Sequence, residues 1–177
     1  MTKHHLHKKH AHHIPSYVTA FINLHVAKAR EISRRTRVSV SIILAQAAEE
    51  SSWGRAAPDN AFFGIKSQSP SNNAAKHVTH EVVNGSRVAE TDNFRAYANF
   101  DEAADDYADF LVSNKGYAAA FAFVSDPISF AHAMGQSKYA TNPKYGANLA
   151  NIITTNNLIQ YEVNPMKVIT SISKTKK

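Results

Sequence analysis

The segment VSVSIILAQAAEESSWG, from Val38 to Gly54, constrains this chain most: it is an apolar run of helical spacing that delivers two carboxylates, Glu49 and Glu50, just before a tryptophan and a glycine. A period of 3.6 residues puts Ile43, Ala47 and Glu50 on one stripe and Ile42, Ala45 and Glu49 on the next. Gly54 reads as the helix terminator. The unpaired carbonyls at a helix C-terminus are the negative end of its dipole, so a carboxylate there is disfavoured and its pKa is expected to rise. Burial against Trp53 would push the same way. A carboxyl kept protonated near neutral pH can serve as a general acid, the group that glycosidic cleavage requires. The alternative is that Glu49 and Glu50 are a solvated helix end.

Four further strings follow in order: NAFFGIK at residues 60–66, HVTHEVVNG at 77–85, FRAYANFDEAADDYADFL from Phe94, and SKYATNPKYGANLANII from Ser137. With AQAAEESSWG they resemble the family 73 glycoside hydrolases, the β-N-acetylglucosaminidases of autolysins and of the flagellar rod hydrolase. The resemblance extends from Ser39 to Leu158. It implies that Glu50 is the catalytic acid, in a motif that usually reads ESGWG; Ser52 here replaces the first glycine. It implies that Glu81 is the acidic residue of the family's β-hairpin, and that Tyr139 is the tyrosine of a stretch usually reading GYATDP, from which Lys138 and Asn142 depart. Phe63, Gly64, Ile65 and Lys66 match an FGIK segment, whereas Ala61 and Phe62 replace the usual asparagine and leucine. These departures bear on subsite preference more than on the reaction. The resemblance further implies an enzyme without metal or cofactor.

Charge narrows the partners. Of 20 lysines and arginines, Lys3, Lys8 and Lys9 lie in the first thirteen residues and Lys174, Lys176 and Lys177 in the last four, which leaves fourteen cations against 14 acids in between. The body is neutral and the basicity belongs to the tails, so no basic face for nucleic acid is expected. Short cationic tails suit loose attraction to anionic envelope polymers, and equally suit plain solubility. Six of the 10 histidines fall between His4 and His13, irregularly spaced and without apolar residues to order them. Residues 1–13 are therefore expected to be a disordered tail rather than a metal site. With no cysteine, disulfides play no part. No apolar stretch is long enough for a signal sequence or a membrane span, so action on a cell wall would need another route: phage lysis, flagellar export, or injection by a type VI secretion system.

One domain is expected over 14–163, with a basic tail over 164–177. Ile14 to Arg35 reads as a first helix, with Tyr17, Phe21, Leu24, His25 and Lys28 at helical spacing and a basic C-terminus. Pro58 to Ala75 reads as an irregular segment. Asn84-Gly85 signals a type I′ hairpin between His77–Val83 and Ser86–Glu90, which sets Glu81 opposite Val88. Asn99 and Glu102 form a capping box for a helix with the stripe Phe100, Ala103, Tyr107, Phe110, Leu111. Asp101, Asp105 and Asp109 are its wet face, and Asp106 is given a structural role. Helices from Pro127 to Met134 and from Pro143 to Thr155 follow. The plan is α+β and mostly α: a lysozyme-like helical body with a small β-hairpin lobe and a cleft between them.

The expected function is cleavage of the β-1,4 bond after N-acetylglucosamine in peptidoglycan glycan strands. Glu50, Glu81 and Tyr139 are the catalytic candidates; Trp53, Phe63, Gly64, Lys66, Asn142 and Tyr145 are the substrate-binding candidates. Rings cover pyranose faces and amides bond hydroxyls, which is why the loop from Lys138 to Tyr145 is read as a sugar site. Glu49 is expected to be surface. Rival readings are a muramidase on the same fold, a non-catalytic wall-binding module, and a metal-binding protein using the histidine tail. A monomer is expected, with a cognate immunity protein if the chain is an injected effector.

Overall fold

The computed structural model describes residues 13–67, 74–83 and 86–163, the side chains of 79–83 and 87 excepted. The proposed tails, His13 excepted, and the Asn84-Gly85 turn type lie outside the described residues. Five α-helices and one antiparallel hairpin appear in the order α1 (Ser16–Thr36), α2 (Val40–Ser51), β1 (Ala74–Val83), β2 (Ser86–Arg95), α3 (Phe100–Ser113), α4 (Pro127–Gly135) and α5 (Tyr145–Thr155). This is the mostly helical α+β plan with a β-hairpin lobe. Among the described residues no helix is long and apolar enough to cross a membrane.

Helix α2 is the axis of the body. Its residues from Val40 to Ala48 are all buried, polar Ser41 and Gln46 included, because α1, α4, α5 and the 3-10 turn at Leu158–Tyr161 all pack against it. A helix covered on every side can be apolar all round. Its N-terminal amides are closed from 121 and 122 residues away: the Glu162 carboxylate accepts from Val40 N (2.9 Å), Ser41 N (2.9 Å) and the Ser41 hydroxyl (2.6 Å). Its own N-cap, Ser39, makes no side-chain cap. A carboxylate there satisfies orphan donors and complements the dipole.

The buried face of α1 is Val18, Phe21, Ile22, His25, Ala29 and Ile32. Leu24, placed on that stripe by the sequence, is instead 75% exposed. The face that fits the core is rotated by a residue, and the sequence spacing alone accommodates either. Burial between Phe100 (stacked, 3.7 Å between centroids), Phe21 and Phe62 holds the His25 imidazole down to about 4 against an opposing pull from Asp101.

The capping box at α3 forms, with Asn99 Oδ1 accepting from Glu102 N at 3.0 Å, although Glu102 reaches back to Ala98 N rather than to the cap itself. Asp105, read as wet face, is an anchor: its carboxylate takes Lys28 at 2.8 Å and Arg35 at 3.1 Å, pinning α3 to α1. Asp106 has the structural role expected. It accepts twice from Arg95 (2.8 and 2.9 Å) and from the Tyr97 hydroxyl (2.6 Å), fastening the foot of the hairpin to α3. Helices α4 and α5 meet backbone to backbone. A Cβ on Gly135 would lie 2.6 Å from Gly146 N, and one on Gly146 would lie 2.8 Å from Ala131 O, so both positions must be glycine for Tyr145, the first residue of α5, to sit where it does. Pro143 precedes the helix by two residues, and Asn142 turns the chain into it by accepting from Lys144 N at 2.9 Å.

Candidate active site

Glu50 stands in the last turn of α2, half-buried. The helix stops at Ser51, earlier than the glycine at 54: Ser52 (φ 50), Trp53 (φ 61) and Gly54 (φ 76) form a left-handed run. Ser52 N and Trp53 N both return to Ala48 O. Ser52 thus does the conformational work of the glycine in ESGWG, at the cost of a Cβ in a region that L residues avoid.

This exit throws Trp53 towards α1. Its ring meets Phe21 edge-on at 5.6 Å and lines a hollow with Pro15, Tyr17, Val18 and Ile152. What packs on the Glu50 carboxyl is the FFGIK loop. Gly64 lies so close that a Cβ on it would be 2.8 Å from Glu50 Oε2, and its φ of +60° also suits glycine alone. The loop is held in turn by β2, with Arg95 N bonding Ile65 O at 2.9 Å and Ser67 N bonding Asn93 O at 2.7 Å, an isolated antiparallel bridge centred on Lys66 and Phe94. Lys66 closes the edge through Asp92 at 2.8 Å, and that hydrogen bond holds the Asp92 carboxyl below its ordinary range.

The helical side of the carboxyl is made of tyrosines. The Tyr145 hydroxyl accepts from Gln46 Nε2 at 3.1 Å and lies within reach of the Glu50 carboxylate, whose charge helps to push the phenol up. Gln46 Oε1 accepts from the Tyr107 hydroxyl. Tyr139 stacks on Tyr145 (5.7 Å, 19° between planes) and donates its O–H to Phe63 O at 2.7 Å. Burial first, and the Glu50 charge second, push the phenols of Tyr139 and Tyr145 well above their ordinary range. Both therefore remain neutral donors.

Several expected site residues thus act from beneath. Phe63 and Tyr145, expected to touch sugar, are 1% and 2% exposed. Phe63 is stacked on Tyr107 at 4.1 Å. Neither ring has an open face for a pyranose. Their contribution is a carbonyl that orients Tyr139 and a hydroxyl within reach of Glu50. Glu49 is not bare surface either: its Oε1 accepts from Asn148 Nδ2 at 2.7 Å, tying α2 to α5. Glu81 lies on β1 opposite Val88, as the hairpin register required. The sequence marks neither Gln46 nor Tyr107 as a site residue, since a glutamine in an apolar helix and a tyrosine on an apolar stripe carry no local sign of a shared bond.

Comparison with known proteins decides the lineage. A family described as mannosyl-glycoprotein endo-beta-N-acetylglucosaminidase, the glucosaminidase domain, matches residues 26–158. The chain belongs to this glycoside hydrolase family. The glucosaminidase domain is 31% identical over 140 residues to the peptidoglycan hydrolase FlgJ of Pseudomonas aeruginosa, covering 75% of this chain and 35% of that protein. It is 33% identical over 152 residues to a probable N-acetylmuramidase of Lactococcus lactis, covering 81% of this chain and 34% of that protein. The chain therefore spans about a third of the length of these relatives. A peptidoglycan hydrolase mutant of Sphingomonas sp. A1 superposes with a TM-score of 0.72 at 31% identity, covering 80% of this chain and 96% of that one. A type VI secretion system effector-immunity complex from Pseudomonas protegens shares the fold, with a TM-score of 0.54 at 20% identity over 82% of this chain and 94% of that one.

Proposed function

We propose that this glucosaminidase domain hydrolyses peptidoglycan at the β-1,4 bond between N-acetylglucosamine and N-acetylmuramic acid, with Glu50 as the general acid. The observation that carries it is the seat of the Glu50 carboxyl, between the Gly64 backbone and the Tyr145 hydroxyl at the end of a buried helix. A carboxyl fixed in that way can protonate the leaving oxygen without reorganising. Glu50→Gln keeps the volume and loses the proton, so lysis of purified sacculi is expected to fall by about 10²–10⁴ with the fold intact. Equal activity of the variant removes Glu50 from the role.

Glu81 is the second carboxylate of this reading. As a base it would activate water across about 6.5–9.5 Å from Glu50 and invert the anomeric centre. Its partner Val88 lies seven residue steps along β2 from Arg95, which pairs with the site loop, and that is about 23 Å of strand. The hairpin must curl back over the cleft for Glu81 to take part. That length favours a second reading, in which the substrate's own N-acetyl oxygen attacks C1. Product-anomer NMR separates them, because inversion supports Glu81 as base and early retention supports substrate assistance.

The family description favours the glucosaminidase bond and the Lactococcus lactis relative's name the muramidase bond. Reducing-end analysis of the digest decides, N-acetylglucosamine at the new end being the expected result. Acting in the periplasm or wall, the domain would be bacteriolytic, and as an injected toxin it would require a cognate immunity protein over the cleft. Lysis on periplasmic but not cytoplasmic expression in a test bacterium is the expected behaviour. Survival in both compartments overturns the bacteriolytic role.

A further inference from the structure

A buried amide sits one shell behind the carboxyl. Gln46 is 0% exposed and Tyr107 is 0% exposed, so neither can exchange its partner for water. Tyr107 has one hydroxyl proton and gives it to Gln46 Oε1. The amide is thereby polarised in one sense, its NH2 facing Tyr145 and donating to the phenol oxygen at 3.1 Å. With that lone pair engaged, the single proton of Tyr145 is directed to Glu50. Reversing the amide would draw the Tyr145 proton to the amide oxygen and strip the buried Tyr107 proton of its acceptor, Gln46 Oε1, which costs more than the bonds themselves return. The Tyr107–Gln46–Tyr145 chain therefore has one direction, and it ends on the carboxyl.

We propose that Gln46 is a positioning residue for the hydrolysis reaction: by fixing which way the Tyr145 hydroxyl donates, it holds one oxygen of the Glu50 carboxyl and leaves the other turned to the glycosidic oxygen. This rests on Glu50 being the acid. A donor on the carboxyl favours its ionised form, so losing it raises the pH at which Glu50 gives up its proton. It also frees the carboxyl to rotate, which lowers turnover rather than affinity.

The test compares Gln46→Met, which keeps the length and neither donates nor accepts in this geometry, with Gln46→Glu. Buried between neutral phenols, a glutamic acid at 46 stays protonated and offers a carbonyl to Tyr107 and an O–H to Tyr145, the same direction as the amide. Expected for Gln46→Met are a kcat about tenfold lower, an unchanged KM, and a Glu50 carboxyl titration by 13C NMR shifted up by about one pH unit. Gln46→Glu restores both. Tyr107→Phe, which removes only the hydroxyl at the head of the chain, shifts the titration in the same direction if Gln46→Met proves unfolded. A Gln46→Met protein that melts earlier yet titrates and turns over like wild type overturns the proposal. So does a Gln46→Glu protein no better than Gln46→Met. The NMR titration needs no substrate: if wild type itself hydrolyses nothing while the shift is present, the reaction assigned to the domain fails and the directional chain stands.

Discussion

Gly64→Ala separates the carboxyl's seat from the stability of the fold. Two costs can be worked out. Alanine at φ +60° is disfavoured by about 1 kcal/mol relative to glycine. The new Cβ would also stand 2.8 Å from Glu50 Oε2, where ordinary contact begins at 3.4 Å, so the carboxyl must retreat by about 0.6 Å. Retreat is restricted by the interaction of the carboxylate with the buried Tyr145 phenol. Displacement approaching 1 Å at a catalytic group can cost about 10²-fold in rate. The expected result is a protein that unfolds about 1–2 kcal/mol more readily in urea and digests sacculi roughly 100-fold more slowly. Ser52→Gly is the companion variant, because φ 50 there is relieved by glycine. It is expected to gain up to about 1 kcal/mol, with turnover kept. A Gly64→Ala enzyme that loses stability but digests sacculi at the wild-type rate refutes the claim that the loop seats the acid.

Tyr139→Phe removes the donor to Phe63 O (2.7 Å) and so loosens the same loop; about 1 kcal/mol of stability and about tenfold in kcat are the expected losses, and wild-type turnover with a much lower melting point would make Tyr139 a packing residue. His25 binds a proton in the unfolded chain below about 6.5 but in the native state only near 4. The unfolded state therefore binds more protons in that window, and stability falls as pH drops through it, by up to about 3 kcal/mol; His25→Leu should flatten that part of the stability profile in urea titrations, and an unchanged slope would contradict it. Glu162→Ala leaves Val40 N, Ser41 N and the Ser41 hydroxyl without their acceptor; a loss of about 1–2 kcal/mol is expected by thermal melting, and a melting point equal to wild type would show that water replaces the cap.

What could be read from the sequence was what a short window of chain determines. Periodicity gave α2 with Glu50 in its last turn. A side-chain oxygen three residues from an orphan amide gave the Asn99 cap. A two-residue link between extended runs set Glu81 opposite Val88. Each depends on neighbours within a few residues, where backbone geometry limits the choices. Tertiary structure alone decided which tyrosine reaches the acid. Tyr139 and Tyr145 read as members of one polar loop in the sequence and look alike there, but the glycine-on-glycine crossing of α4 and α5 places Tyr145 at the start of α5, against Gln46, and leaves Tyr139 bonded to Phe63 O. The Glu162 cap and the Gly64 seat were hidden for the same reason. Their partners are brought together by packing across long stretches of chain, and no local spacing records a bond between residues whose only relation is the fold.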